Sequence, residues 1–277
     1  MGSIYVYKDD LVFYHHTITP NPRPDDFSMH AHDMCEILYL LSGVGRYIVE
    51  GSEYTIEPGS MMLMRPSETH KVQMQPDCVY ERIAVHFSKK IIEQADPKGE
   101  LLLPFEKRPL GQWNYYQRSS FKSGFVLECL NAMKTDSGDE YSRRLSITSH
   151  LFPVLIEVRA AFGARQGEKE ESQYHDISRE LVDYINYNLM SAELSLDSLS
   201  RYFLISKPHL NRIFKKATGS TIWNYVLIKR MMAARQMIRS GKPAFEVCQA
   251  CGFKDYSAFY RLYKKKFNLT PQQERRN

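Results

Sequence analysis

SKPHLNRIFKKATG (Ser206–Gly219) and DYSAFYRLYKKKFN (Asp255–Asn268) are the stretches on which the fold turns, because they align with each other at an offset of 49 residues. Each opens on a residue that caps helix N-termini well, Ser206 or Asp255. Each then places an apolar residue (Leu210, Phe259), an arginine (Arg212, Arg261), an apolar–aromatic pair (Ile213-Phe214, Leu262-Tyr263) and two lysines (Lys215-Lys216, Lys264-Lys265). Each closes on Gly219 or Asn268, the two residue types that best tolerate a left-handed C-cap. Helical spacing puts Leu210, Ile213 and Phe214 on one buried stripe, with Asn211, Arg212 and Lys215 pointing elsewhere.

Working outward, a short amphipathic segment and a tight turn precede each copy: Leu196–Leu204 then Ile205, and Phe245–Cys251 then Gly252. Thr221–Arg239 reads as one long connecting helix. This is the layout of two helix-turn-helix motifs, whose second helices enter the major groove of double-stranded DNA about 34 Å apart, one helical turn. Arg212 and Arg261 suit guanine through paired hydrogen bonds, and Asn211 suits adenine. Lys207, Tyr256, Ser257 and Tyr260 sit on the first turns as base or sugar contacts. Lys215, Lys216, Lys264 and Lys265 come later and suit phosphates, although any one of them can equally be a solvated surface lysine.

Charge follows the same division. Residues 1–165 hold 18 Lys+Arg against 21 Asp+Glu, residues 166–277 hold 19 against 11, and from Lys207 onward the balance is 16 against 3. A basic C-terminal third on a slightly acidic body fits a polyanion-binding module attached to a separate domain.

On these motifs, residues about 176–277 resemble the DNA-binding domain of the AraC/XylS family, with the matching signature running from Ile238 through CGFKDYSAFYRLYKKKFNLTP. Three departures are visible: Leu204 stands where the family usually has Gly, Tyr263 replaces Phe, and Asn268 replaces Gly. The resemblance implies a bacterial sequence-specific transcription regulator, with an N-terminal barrel that takes a small-molecule effector, carbohydrate-related as a first expectation. RNA polymerase joins the expected partners if the protein is an activator.

The N-terminal half has short runs rich in Ile, Leu, Val and Tyr: Glu36–Leu41, Gly45–Val49, Tyr54–Ile56, Met61–Met64 and Tyr80–Phe87. Gly and Pro punctuate them at roughly ten-residue spacing, as in an antiparallel barrel or sandwich. Residues 1–28 read as an arm with short strand-like pieces, interrupted by Pro20, Pro22 and Pro24. Phe121–Met133 and Tyr141–Phe162 have helical periodicity, and two helices appended to a small barrel suit a homodimer interface. The expected architecture is therefore multidomain α+β. A cupin-like β-barrel with appended helices spans 1–165, a linker 166–177, and an all-α tandem helix-turn-helix domain 178–277.

HAHDMCE (His30–Glu36) and a later His70 resemble the His-x-His-x-x-x-Glu and His pattern of metal-holding cupins. That resemblance would make His30, His32, Glu36 and His70 ligands of Mn, Fe, Ni or Zn. The expectation favoured here is no metal and no other cofactor, with His30, His32, Glu36, Arg46, Arg65, His70, Arg82 and His86 lining an effector pocket instead. Strand alternation leaves open whether each of the arginines and His86 faces inward. Two alternatives stay in view: a metal-dependent cupin enzyme fused to a DNA-binding domain, and a regulator that needs no effector.

Five scattered cysteines make no disulfide framework, which points to a reducing cytoplasm. Cys248-x-x-Cys251 lacks a second Cys or His pair, so it reads as small apolar filling in a helix. Unbroken apolar runs such as Ile37–Leu41 are too short to span a bilayer, and no membrane partner is expected. Signature loops of nucleophilic hydrolases, nucleotide triphosphatases and dinucleotide enzymes are missing, so the chain does not read as an enzyme.

Overall fold

The computed structural model describes residues 2–23, 26–122, 124–135, 138–165 and 177–276. The expected linker over 166–177 therefore falls almost entirely outside the described residues. By contacts the chain forms two compact units, Met1–Ser28 with Met34–Ser172, and Gln173–Asn277 with Met29–Asp33.

In the first unit, β1 (Gly2–Lys8), β2 (Val12–Pro20), β3 (Cys35–Ser42), β6 (Met61–Met64), β8 (Val79–Phe87) and β9 (Tyr115–Tyr116) form one sheet in the order β1-β2-β8-β3-β6-β9. A second sheet pairs β5 (Ser52–Ile56), β4 (Gly45–Val49) and β7 (His70–Met74) in that order. All pairings are antiparallel. The expected arm is thus mostly two full strands, with the nine-residue β2 lying between β1 and β8. Proline clusters end that hairpin at Pro20 rather than dissolving it.

Period-2 alternation gives the larger sheet two buried faces. Val12, Tyr14, Ile37, Leu63, Ile83, Val85 and Phe87 share a core with side chains from helices packed on the outside. Those helices follow β8: α1 (Lys89–Ala95), α2 (Leu103–Glu106), α3 (Phe125–Ala132) and α4 (Glu140–Arg165). On the other face, Leu38, Leu40, Met62, Met64 and Tyr80 meet Tyr47, Val49, Ile56, Val72 and Met74 of the smaller sheet, which closes the barrel interior. α4, 26 residues long, is long and apolar enough to cross a membrane. Its Ile147, Leu151, Val154, Leu155 and Val158 are buried in the outer core, so it reads as a core helix.

A buried ion pair pins the loop that leads to β9. Arg108 donates from Nη1 and Nη2 to the two carboxylate oxygens of Glu68 at 2.8 and 2.6 Å, with both side chains fully buried. The Gly111 amide and the Asn114 carboxamide donate to the same carboxylate at 3.0 Å. Burial opposes the charge on Glu68, yet the arginine outweighs it and holds the carboxyl below its usual range.

Over residues 177–276 the second unit is built of helices: α5 (Ile177–Tyr187), α6 (Leu196–Phe203), α7 (Lys207–Thr218), α8 (Ile222–Arg239), α9 (Ala244–Ala250), α10 (Tyr256–Phe267) and α11 (Pro271–Arg276). It holds two small cores. Leu181, Ile185, Leu199, Leu210, Phe214 and Tyr225 make one; Met231, Ala234, Ile238, Val247, Cys248, Cys251, Phe259 and Tyr263 make the other. α8 contributes to both.

Candidate functional site

The two repeats fold as matching hairpins of helices. Ser195 and Ser198 form a reciprocal capping box that starts α6. α6 ends at Leu204, whose φ of 55° puts a branched side chain in the left-handed region while leaving it 90% exposed. Ser206 then occupies the N-cap of α7, with Pro208 in the first turn, where its missing N–H costs nothing. Gly219 closes α7 with φ 76° and donates its N–H to Lys215 O. In the second copy the Asp255 carboxylate caps the Ala258 N–H, and Asn268 closes α10 at φ 56° with its N–H donated to Lys264 O.

Leu210 and Phe214 of α7, and Phe259 and Tyr263 of α10, are fully buried. The opposite faces are left to polar residues. Arg212, Lys215 and Lys216 on α7, and Tyr256, Ser257, Arg261, Lys264 and Lys265 on α10, are exposed; Tyr260 is half-buried. Among the described residues, neither Arg212 nor Arg261 is in an ion pair. Lys207 is exposed but pairs with Asp197 of α6. Asn211 departs from expectation more clearly. It is half-buried and its Oδ1 accepts the Ile222 N–H at 3.2 Å, tying α7 to the start of α8. A two-bond contact to adenine would break that tie.

One buried cation joins the two halves. Arg230 of α8, 3% exposed, donates from Nε to Leu189 O at 2.8 Å, from Nη2 to Ser191 O at 2.8 Å, and from Nη1 to Gly252 O at 2.7 Å. The first two carbonyls lie between α5 and α6, and the third is the turn of the second motif. Gly252 has φ +73°, and a Cβ there would sit 2.8 Å from Arg230 Cζ and 2.9 Å from Met190 O. Cys248 and Cys251 are buried in the second core, and burial pushes the Cys251 thiol up to about 11 and the Cys248 thiol upward. Both stay protonated and act as small apolar filling, as the spacing suggested.

The polar residues expected to line the barrel separate into two groups. Arg46 is exposed on β4 and pairs outside with Glu53 at 3.3 Å and Gln73 at 3.3 Å. Arg65 donates to Arg108 O at 3.1 Å and lies 3.5 Å from Glu68, so it belongs to the loop-pinning network. His30 is exposed. These three do not line the interior, because strand alternation turns Arg46 outward and loop packing claims Arg65.

Glu36, His70, Arg82 and His86 do converge inside. Glu36 is 4% exposed, with Oε2 3.3 Å from His70 Nε2 and Oε1 3.8 Å from His86 Nε2. His70 Nδ1 lies 2.9 Å from Glu68 O, which can only accept, so this nitrogen carries a proton. Burial disfavours a charged His70, but the bond to Glu36 outweighs it and raises the imidazole above its ordinary value. His32 is half-buried on the short segment that groups with the other unit.

Sequence reasoning missed the contributions of β2 and the neighbours of Arg82. His15 stacks on His86 with ring centroids 5.5 Å apart, and burial lowers it to about 4. Thr17 pairs in register with Arg82, and Thr19 with Tyr80. Tyr47 stacks on His70 at 6.0 Å. The signal was the alternation Phe13-x-His15-x-Thr17-x-Thr19, which puts every second side chain on the barrel face.

A polar-lined barrel in one unit and tandem helix-turn-helix motifs in the other define a two-domain, effector-responsive DNA-binding regulator of transcription, not an enzyme. The chain belongs to the AraC family: the model of the AraC-like ligand binding domain matches residues 14–104, and that of a helix-turn-helix domain matches residues 199–277. Similar curated proteins include the HTH-type transcriptional activator RhaS of Escherichia coli O6:H1, 24% identical over 258 residues, covering 92% of this chain and 90% of that one. RhaS of Mannheimia succiniciproducens is 24% identical over 263 residues, covering 93% and 92%. Among solved structures, the C-terminal domain of the response regulator yesN from Fusobacterium nucleatum is 28% identical, with TM-score 0.34, covering 36% of this chain and 99% of that one.

Proposed function

We propose that α7 and α10 read the bases of duplex DNA while a small molecule held in the barrel sets the affinity of that reading. Base contacts fall to Lys207, Arg212, Tyr256, Ser257, Tyr260 and Arg261, and phosphate contacts to Lys215, Lys216, Lys264 and Lys265. Asn211 is left out because its carboxamide oxygen already serves the start of α8. The observation that carries the reading is that Arg212 and Arg261 occupy equivalent exposed positions with no ion pair among the described residues. Each arginine fork suits guanine O6 and N7 and contributes about 1–3 kcal/mol of discrimination.

The test is selection of bound sequences from a random duplex pool by the full chain and by Arg212→Ala and Arg261→Ala. Each variant should relax one half of the selected site and leave the other half intact. Unchanged preferences in both would overturn the docking.

The effector reading rests on the polar groups that face the barrel interior, and a carbohydrate-related molecule fits them as a first class. Coupling between barrel and DNA is expected at the usual scale of about 1–3 kcal/mol. We infer that the barrel works without a metal, because the Glu36 carboxylate already lies 3.3 Å from His70 Nε2. Titration with Mn, Fe, Ni and Zn salts, followed by metal analysis of the desalted protein, checks this. Near one equivalent retained would refute it.

The proposed state is a cytoplasmic homodimer. Tyr141, Leu145 and Ile156 of α4 are 76%, 53% and 56% exposed, which is more apolar surface than one helix normally leaves to water. Relatives described as activators support RNA polymerase as a further partner.

A further inference from the structure

Within the effector reading just given, one side chain says what kind of molecule the barrel takes. Arg82 is 5% exposed, on the interior face of β8. Its Nη1 is buried and has no hydrogen-bond partner, and the side chain forms no ion pair among the described residues. Its companions are two aromatic faces, Tyr80 at 4.2 Å and Phe27 at 5.3 Å from the guanidinium carbon to the ring centroids. Aromatic faces attract a cation, but they supply no acceptor for its N–H groups. Buried carboxylates of this unit are engaged elsewhere: Glu36 lies 3.3 Å from His70, Glu68 pairs with Arg108, and Glu50 accepts from the Thr69 amide.

The neighbours of Arg82 share its condition. Thr17 stands opposite it across the β2–β8 ladder, and Thr19 stands opposite Tyr80. The hydroxyls of Thr17, Thr19 and Tyr80 are all buried without a partner among the described residues. Four donor-bearing side chains thus sit on one patch of the inner sheet face, one of them permanently cationic. Leaving a buried charge and three buried hydroxyls unsatisfied is costly, so such groups are normally paired. The other buried arginines here obey that rule: Arg108 has Glu68, and Arg230 has three carbonyls.

We propose that this patch is an oxyanion subsite, and that the effector is a small organic anion whose carboxylate or phosphate binds Arg82 Nη1 and accepts from Thr17, Thr19 and Tyr80. A carboxylate matches the planar fork of a guanidinium, and a phosphate monoester presents the same oxygen geometry with more charge. Phe27, whose ring meets Tyr80 edge-on at 5.4 Å, would then cover the apolar part of the ligand next to its anionic group. A sugar acid or a sugar phosphate satisfies this subsite; a neutral sugar does not.

The test is a thermal-shift panel on the full chain, wild type and Arg82→Met. The probes are glucose, glucuronate, glucose 6-phosphate, and short aliphatic and aromatic carboxylates, each carboxylate set against its neutral amide. At least one anion should raise the wild-type melting temperature by about 2 °C or more beyond its neutral counterpart, and Arg82→Met should lose that increment. Whether the carboxylates or the phosphate produce the increment decides which anion the site takes. An increment that survives in Arg82→Met, or a panel in which no anion exceeds its neutral partner, overturns the subsite. Neutral sugars that stabilise both proteins equally would sink the oxyanion while sparing the effector reading; silence from every probe would sink both. Without ligand, Arg82→Met should melt at or above the wild type, because methionine fills the space without a buried charge. A drop of more than about 5 °C would instead make the arginine structural and overturn the proposal.

Discussion

Replacing Arg230 by methionine should loosen the joint between the two DNA-reading halves. The guanidinium donates to three main-chain carbonyls at 2.7–2.8 Å from a site only 3% exposed. Hydrogen bonds from a charged donor contribute about 1.5–3 kcal/mol each, net. Part of that is recovered, because the variant no longer buries a charge and water can reach the part-buried Ser191 carbonyl. A net loss of about 3–4 kcal/mol is expected, a large share of the roughly 5–15 kcal/mol available to a domain. The chain has two tryptophans, Trp113 and Trp223. Trp223 lies 5.7 Å from the Arg230 guanidinium, so a Trp113→Phe background turns its fluorescence into a reporter for this unit. With a slope of about 1.5 kcal/mol per molar urea, the midpoint should fall by about 2 M. Arg230→Lys should lose most of the same amount, since one ammonium cannot span three carbonyls. A midpoint within about 0.5 M of wild type would refute the claim that this side chain holds the halves together.

The same fluorescence assay separates the two turns. Gly252→Ala should cost about 1–3 kcal/mol, because its Cβ would sit within 2.9 Å of Arg230 and of a main-chain oxygen at a φ of +73°. Leu204→Gly should instead gain about 0.5 kcal/mol by relieving an exposed branched residue at φ 55°; a loss would show that the leucine has a packing role. In the barrel, Glu68→Gln strands a fully buried Arg108 and should cost about 3–5 kcal/mol, read as a fall in the barrel's own melting transition. Acid should also weaken the barrel. His15 is lowered by burial from 6.5 to about 4, so the unfolded chain takes up its proton first as pH falls. The stability from neutral His15 is complete above pH 6.5 and drains away toward pH 4; His15→Phe should flatten melting temperature against pH across that window, and an unchanged slope would assign the acid response elsewhere.

The helical unit was legible in the sequence almost residue by residue, because caps and apolar stripes are local signals. Ser206, Asp255, Gly219 and Asn268 mark the helix ends, and Leu210, Phe214, Phe259 and Tyr263 mark the buried stripe. Gly45–Val49 and Met61–Met64 are legible with the bounds the strands have, whereas the sequence carries no clear signal for β7 and shows β2 only as a strand-like piece of an arm. β2 carries two histidines and two threonines, so its hydropathy hides a strand that is buried on both faces. The pocket residues were harder, since their roles depend on contacts far apart in the chain. Nothing near Arg65 in sequence announces Arg108, and nothing near Asn211 announces the Ile222 amide it serves. Arg46 and Arg82 look alike in a strand pattern until pairing assigns one to solvent and the other to the interior.

α8 belongs to both cores of the helical unit, and that sharing makes it a ruler. Its 18 residues, at about 1.5 Å each, span about 27 Å; Thr221 caps its first turn and Arg230 clamps its middle to the second turn. Two weak readers on a stiff bar act as one strong reader at a single spacing, because the first to land holds the second at high effective concentration over one patch of duplex only. A base pair inserted between half-sites would rotate the second half out of reach without altering any base that either helix touches. Geometry, alongside hydrogen bonding, would then be part of the address this protein recognises.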